Sequence, residues 1–561
     1  MRTAQSANAS RHAALGSGSP SQVHERDAHR RIEIRNFRSF RQFALDLNGE
    51  SVFVIGENGG GKTSLLTAVA RAFGRDLNFR AEDFADRQQA IEVEVRLGGL
   101  NQAQSAVFGQ HADFDTNPPT LRIAARAIWD PAAEDAEVEH HYPRNVGSRS
   151  RREEREALTW QWLPSARDPE RMLQFGVPRN LMGKLIAALP IDQGLDHAVE
   201  AVRQASDDLG QDAELQRFLQ EARDDLADML PDVAGEAFQM GIASATARDL
   251  LRQFELVVEH LGEPVAVTTQ SSGVAQLAIF VFAMKLAKSQ PGTVLLIDEP
   301  EISLHPQAQR ALMRALRAID VQMLVATHSA TLLDRADPRR IIRLRRTGVG
   351  IDLASPSSLS DQDSRKLARF TSPQTAEAFF ARAVILVEGM SDQIALEVIA
   401  ERQGRNLDAE GVSIVPMGGV TAARAFLQLY GPTGFKLKVT GLCDENEEAH
   451  FFAALELAGL GANLTRQTIE PLGFFVCVKD LEDELIRALG AQAVEQTIDG
   501  NGDLAAFRTF QQQPDQEQRS LEAQLRGFLR GRRKIEYAQL LADALDLANL
   551  PRPLAEVLAA V

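Results

Sequence analysis

Cysteine is almost absent. Cys443 and Cys477 are the only two in 561 residues, and they fit no paired-cysteine metal spacing. That excludes a disulfide scaffold and suits a reducing compartment. Long hydrophobic runs are also missing: no stretch approaches the ~20 apolar residues of a membrane helix. Residues 1–30 carry basic side chains but no apolar segment of the secretory-signal kind, and read as a polar, Gly/Ser-rich flexible tail. Together these absences predict a cytoplasmic protein with no membrane partner. Positive charge is in deficit, 61 Lys+Arg against 77 Asp+Glu for a net charge of −16, so any nucleic-acid contact must be a local basic patch. The three tyrosines, Tyr142, Tyr430 and Tyr537, stand in no context for covalent chemistry. No zinc-binding segment, helix-turn-helix or aromatic RNA-binding motif appears.

What is present is an ordinary globular composition, 44% hydrophobic and 25% charged, which excludes a disordered or collagen-like chain. Its length suggests three or four structural units. Past the tail, residues 31–47 alternate apolar and polar as half-buried strands do, the apolar run SVFVIG ends in a glycine-rich loop, and KTSLLTAVARAF has helical spacing. Strands alternating with helices predict an α/β domain over 31–104. Residues 105–245 change character, with a charged stretch at 130–157 and apolar residues three and four apart over 184–231. They are expected to form a largely helical insertion that serves as a dimerisation element or a cap. The α/β pattern resumes over 246–352, a Ser/Pro-rich linker is expected at 353–375, and a second α/β unit with C-terminal helices at 376–561.

The loop Gly56-Glu57-Asn58-Gly59-Gly60-Gly61-Lys62-Thr63 is a complete G-x-x-x-x-G-K-[ST] motif between a buried strand and a helix. Its backbone N–H groups and the helix N-terminus form an anion cradle, Lys62 reaches the β and γ phosphates, and Thr63 ligates Mg²⁺. The apolar strand TVLLI ends in Asp298-Glu299, placing Asp298 to hold Mg²⁺ through water and Glu299 to act as general base on the attacking water. A further strand ends in Thr327-His328-Ser329, where His328 can touch the γ-phosphate. Upstream, Ser271-Ser272-Gly273-Val274-Ala275-Gln276 opens a helix.

These elements, in this order, resemble the ABC-type ATPase heads of structural-maintenance-of-chromosomes proteins. The resemblance implies ATP and Mg²⁺ as cofactors. It also implies that Ser272, Gly273 and Gln276 complete the site of another subunit, hence a homodimer or higher homo-oligomer. Ser303, His305 and Pro306 fall in the D-loop region, and Gln88 or Gln89 is the candidate for the Q-loop glutamine.

In the C-terminal half, AVILVEGMSDQIALEVIA puts Glu388 at a strand end and Asp392 at the following helix start. LKVTGLCDENEE ends in Asp444, Glu445, Asn446, Glu447 and Glu448; GFFVCVKDLEDE ends in Asp480, Glu482, Asp483 and Glu484. Clustered carboxylates raise one another's pKa unless a cation is bound, and oxygen ligands favour Mg²⁺ or Mn²⁺. The corresponding chemistry is two-metal phosphodiester cleavage. The series looks like a Toprim domain, and a Toprim domain behind an ABC-type head resembles the OLD family of ATP-dependent endonucleases.

That resemblance implies DNA as substrate and a link to defence against foreign DNA. It makes Glu388, Asp392, Asp444 and one acid of the 480–484 cluster, with Asp480 and Glu482 the candidates, ligands of two metal ions, and Lys534 a catalytic lysine. The third Toprim motif is usually Asp-x-Asp; here Asn446 takes the second place, a neutral oxygen ligand that holds the second ion more weakly unless Glu448 or Glu447 substitutes. Arg526, Arg530, Arg532 and Arg533 are expected to contact DNA, as are Arg144, Arg149, Arg151, Arg152 and Arg155. The competing reading is an ATP-driven switch or scaffold, working with an unidentified partner protein, whose Toprim domain binds DNA without cutting.

Overall fold

The computed structural model describes residues 28–561 except 48, 75–77, 101, 117–118, 146, 230–245, 261–262, 291, 334–335, 371–372 and 531–532. The expected tail lies outside these residues apart from its last three.

Strands β1 (Ala28–Phe37), β2 (Phe40–Asp46), β3 (Val52–Gly56), β4 (Ile91–Gly98), β5 (Thr120–Asp130), β6 (Asp135–His141) and β7 (Trp160–Leu163) come first. After the two-stranded β8 (Val257–His260) and β9 (Glu263–Ala266) come β10 (Val294–Asp298), β11 (Gln322–Ala326), β12 (Ile341–Thr347) and β13 (Gly350–Ala354). The last four are β14 (Ala383–Val387), β15 (Val412–Pro416), β16 (Lys438–Asp444) and β17 (Phe474–Cys477). They assemble into an antiparallel sheet β2-β1-β4-β5-β6, a mainly parallel sheet β13-β12-β3-β11-β10-β7, and a parallel sheet β15-β14-β16-β17.

Fully apolar strands let each parallel sheet bury both faces. In β3, Val52 and Val54 join the core under the antiparallel sheet, while Phe53 and Ile55 join a second core on the opposite face. That second core runs on into the C-terminal unit through Val384 and Leu386 of β14; Ile385 and Val387, one residue out of phase, face a third core beneath the C-terminal helices. The two α/β units therefore share one hydrophobic core.

Two expected boundaries change. The insertion at 105–245 is not helical throughout: β5 and β6 extend the antiparallel sheet and β7 forms the edge of the ATPase-type sheet beside β10. Short helices Arg152–Glu156, Pro169–Leu173 and Leu181–Ala187 precede the two long ones, Asp192–Gly210 and Ala213–Met229. Alternation in TLRIAARAIWD is the period-2 signal that marks β5. Nor is 353–375 a free linker. The helix Asp361–Phe370 occupies it, Leu359 and Leu367 are buried in the shared core, and the Tyr430 hydroxyl donates to Thr375 O at 2.9 Å.

The 18-residue helix Ser272–Ser289 is long and apolar enough to cross a membrane by composition, contrary to the sequence expectation. In this fold Ala275, Ile279, Phe280, Ala283 and Leu286 bury its apolar face in the shared core.

Candidate functional site: a phosphate loop and a carboxylate cluster

Both candidate sites sit where parallel strands deliver their C-terminal ends. At the first, β3 leads into the loop 56–63 and the helix Lys62–Ala72. Gly56 has φ 148°, and a Cβ there would stand 2.5 Å from Leu344 O of the adjacent strand; Gly61 has φ 94° and caps the helix. Neither position admits another residue without strain. Asn58 and Gly59 are exposed at the loop tip. Lys62 is buried and donates to the carbonyls of Gly56 (2.9 Å) and Glu57 (3.0 Å); burial lowers its pKa to about 8.

Thr63 Oγ1 donates to Asp298 Oδ1 at 3.2 Å, so residues 235 positions apart meet. Asp298 Oδ2 is buried without a hydrogen-bond partner, and burial followed by the Glu299 charge raises that carboxyl. An orphaned buried oxygen beside a threonine hydroxyl fits a hard divalent cation. Glu299 holds a left-handed backbone (φ 46°), and its Oε1 lies 3.7 Å from His328 Nε2. Burial, then the Lys62 charge, lowers the His328 imidazole below its usual value. Its ring stacks on Phe380, centroids 6.4 Å apart, just ahead of β14.

Sequence reasoning missed two residues here. Glu301 accepts from His328 N (2.6 Å) and Thr327 Oγ1 (2.9 Å), bracing the switch loop; its sign was a third acid in DEPE. Arg167, in the loop after β7, left no sequence signal at all.

Several predicted residues have partners within the chain. Gln276 is buried and accepts from Arg167; Ser272 is exposed and Gly273 partly so, packed against Ser303 O. His305 caps its helix by accepting from Ala308 N at 3.3 Å. Gln88 and Gln89 are exposed in the turn before β4, where the Gln89 amide donates to Asp86, and among the described residues they show no bond to Lys62, Thr63 or Asp298.

At the second site, β14, β16 and β17 bring together Glu388, Asp392, Asp444 and the acids of the helix Leu481–Leu489. Glu388 Oε2 is buried without a partner; burial, then Glu447, raises its pKa. Asp392 accepts from Gly389 N at 2.9 Å, and burial lifts it to about 6. Asp444 goes to about 8, through burial first and then the Asp392, Glu388 and Asp480 charges. Glu482 is 4% exposed, with Oε2 unpartnered and Oε1 3.2 Å from Lys534 Nζ. Lys534, 52 residues further along the chain than Glu482, thus stands beside this acid.

Among the described residues no three His, Cys, Asp or Glu side chains are already close enough to chelate an ion. Unscreened carboxylates keep apart by repulsion. The buried, unpartnered oxygens of Glu388 and Glu482 nevertheless fit a hard cation.

Two expected ligands are otherwise engaged. Asp480 caps the helix Leu481–Leu489 through Oδ1, while Oδ2 accepts from Arg526 (2.7 Å) and also pairs with Arg530. Glu482 is therefore the acid of that cluster left open. Glu448 Oε2 is held by Arg466 at 2.9 and 2.5 Å and Asn446 is exposed, which leaves Glu447 as the acid of that loop acting most strongly on Glu388.

The arginine runs are not bare cationic faces either. Arg144 pairs with Asp115 (3.0 Å), Arg149 with Glu139 (2.9 Å), Arg152 with Glu156 (3.4 Å) and Arg533 with Asp503 (2.5 Å), while Arg155 donates to Ser150 O. Arg532 lies outside the described residues.

Residues 51–334, just over half of the chain, match the family described as "AAA domain, putative AbiEii toxin, Type IV TA system". The chain belongs to this AAA family. Behind the AAA domain, residues 379–445 match the "Overcoming lysogenization defect protein-like, TOPRIM domain", so the AAA protein carries an OLD-like TOPRIM unit that contains Glu388, Asp392 and Asp444. It is 26% identical to the OLD nuclease of Thermus scotoductus over 437 residues, 70% of this chain and 77% of that protein. It is 25% identical to the Old nuclease of Escherichia phage P2 over 187 residues, which span only 31% of that relative. The solved C-terminal region of the Xanthomonas campestris pv. campestris OLD protein aligns at 24% identity over 33% of this chain and 94% of that one, with a TM-score of 0.27.

The carboxylate pKa values predict a pH-dependent metal effect. An acid whose folded pKa is raised binds more protons folded than unfolded, so its contribution to stability is lost as pH rises towards the folded value. For Asp444 that window runs from about 4 to about 8. Thermal unfolding in EDTA should therefore show wild type losing more stability than Asp444→Asn between pH 6 and 8. Added Mn²⁺ should stabilise wild type more at pH 8 than at pH 6, because ligation needs the deprotonated carboxylate.

Proposed function

We propose that this chain is an ATP-hydrolysing, divalent-metal-dependent DNA endonuclease of the OLD type, acting in the cytoplasm as a homodimer or larger homo-oligomer. The observation that carries the reading is that Glu388, Asp392, Asp444, Glu482 and Lys534 act on one another's charge at the strand ends of the C-terminal sheet, with buried carboxylate oxygens of Glu388 and Glu482 left unpartnered.

At the ATPase site, Lys62 and the loop amides would bind the phosphates, Thr63 and Asp298 would hold Mg²⁺, and Glu299 would accept the proton of the attacking water beside His328. In the TOPRIM unit, Glu388, Asp444 and Glu482 would hold Mg²⁺ or Mn²⁺, with Asp392 supporting the Gly389 turn and Glu447 standing in for Asn446. Divalent ions in such settings supply an activated water and a counter-charge for the phosphate oxygens. Lys534, kept protonated by Glu482, is placed to neutralise charge on the phosphate or leaving oxygen.

A DNA-binding switch that does not cut is favoured only by the exposed Asn446 and the Arg466-bound Glu448, which thin the ligand set for a second ion. Supercoiled plasmid incubated with the purified chain in Mg²⁺, in Mn²⁺ and in EDTA separates the two. Nicked or linear product with metal, and none in EDTA, is expected. ATP hydrolysis with intact plasmid in both metals would favour the switch.

A further inference from the structure

Arg167 is 6% exposed, and its guanidinium makes four hydrogen bonds: to Gln276 Oε1 at 2.6 Å, Asp298 O at 2.8 Å, Glu299 O at 2.9 Å and Pro164 O at 3.0 Å. Its charged carbon lies 5.0 Å from the centre of the Phe280 ring. Gln276 closes the link by donating from Nε2 to Arg167 O at 3.3 Å. Burying a cation against neutral oxygens is costly, and an apolar side chain would fill the same space without that cost. What an apolar residue cannot do is hold these carbonyls in place.

The carbonyl that matters most is that of Glu299. Its backbone is left-handed at φ 46°, a conformation that strains a non-glycine residue and persists only where its surroundings impose it. Here it is gripped on both sides: the Glu299 N–H donates to Ala326 O at 2.8 Å, and its carbonyl accepts from Arg167. With both ends held, the carboxylate sits 3.7 Å from His328 Nε2. The opposite arm of Arg167 reaches Gln276, one turn into the helix that Ser272 and Gly273 open. That helix start and the Walker-type acid are thus joined by two consecutive hydrogen bonds through one side chain.

We propose that Arg167 is a positioning residue for ATP hydrolysis: it fixes the Glu299 backbone and, through Gln276, makes the placement of Glu299 depend on the first turn of the helix Ser272–Ser289. The inference rests on Glu299 being the general base. Any partner group that engages Ser272 and Gly273 and shifts that turn alters hydrolysis without touching Glu299.

Steady-state ATP hydrolysis, with the affinity for a fluorescent ATP analogue measured alongside, tests this on Arg167→Lys, Gln276→Leu and Gln276→Glu. Lysine keeps the charge but loses the fork. Leucine removes the acceptor, and glutamate restores one. The expected result is a nucleotide Kd and KM near wild type, a kcat about 10–100-fold lower in Arg167→Lys, a smaller fall in Gln276→Leu, and recovery of most of that fall in Gln276→Glu. A filler role alone would lower Tm while leaving kcat per folded molecule unchanged in all three, and that outcome overturns the proposal. Should Arg167→Lys not fold, the contrast between Gln276→Leu and Gln276→Glu decides on its own. A wild type that hydrolyses no ATP, or one that Glu299→Gln does not slow, overturns the reading of the site instead.

Discussion

Glu388→Gln should abolish plasmid cutting while leaving ATP hydrolysis intact. The substitution keeps the shape of the side chain and removes the charge, so the fold around β14 is preserved and only the cation loses a ligand. Glu388 is suited to that role because one of its oxygens is buried and idle, and because its acidity is weakened by burial and by Glu447 rather than satisfied by a hydrogen bond. Loss of even an outer partner of a metal ligand costs about 10–100-fold, so a direct ligand should cost at least the upper end of that range. Nicking of supercoiled DNA in Mn²⁺, scored beside phosphate release on the same preparation, is the measurement. Equal cutting by wild type and variant would remove the carboxylate pocket from the chemistry. Asp480→Asn makes a useful contrast: it leaves the open acids in place but weakens the cap and the Arg526 and Arg530 pairs, so it should lower Tm more than it lowers cutting per folded molecule.

Glu299→Gln should give a protein that binds ATP normally and turns it over about 10²–10⁴-fold more slowly, the range for loss of a general base. Binding is expected to survive because Lys62, Thr63 and Asp298 would make the phosphate and cation contacts, and Glu299 makes no hydrogen bond to them among the described residues. The variant should also lengthen the life of any ATP-bound assembly. Light scattering or sedimentation with ATP can therefore report whether two copies close on nucleotide, as exposed Ser272 would allow. Wild-type turnover in the variant would reassign the base. Glu301 would not replace it, since it is committed to His328 N and Thr327.

The phosphate loop, the acid-ended strands and the order of the two α/β units were all legible in the sequence, because each depends on neighbours in the chain. Gly56 to Thr63 are contiguous, and the apolar runs of β3, β10 and β14 mark strands buried on both faces wherever they occur. Lys534 came only from the resemblance to the OLD family; its local context, an Arg-rich stretch, reads as a solvated face. The errors have a different origin. The strands β5 to β7 carry charge and loop residues that mask their period-2 pattern, and they are set as strands by their partners: β4 for β5, β5 for β6 and β10 for β7.

Composition and local pattern by themselves determined that this chain builds a nucleotide loop followed by a second sheet edged with acids. Which acid does what was decided only in three dimensions. Asp480 is a cap and ion-pair partner because Arg526, 46 residues away, folds onto it, and Glu448 is taken by Arg466, 18 residues away. Glu482 stays open for lack of such a partner on Oε2. Arg167 gains its place from bonds that span 109 residues to Gln276 and 132 to Glu299. A side chain's hydrogen-bonding capacity is written in its chemistry. Whether that capacity is spent inside the protein or left for a ligand depends on which distant groups the packed core brings within 3 Å.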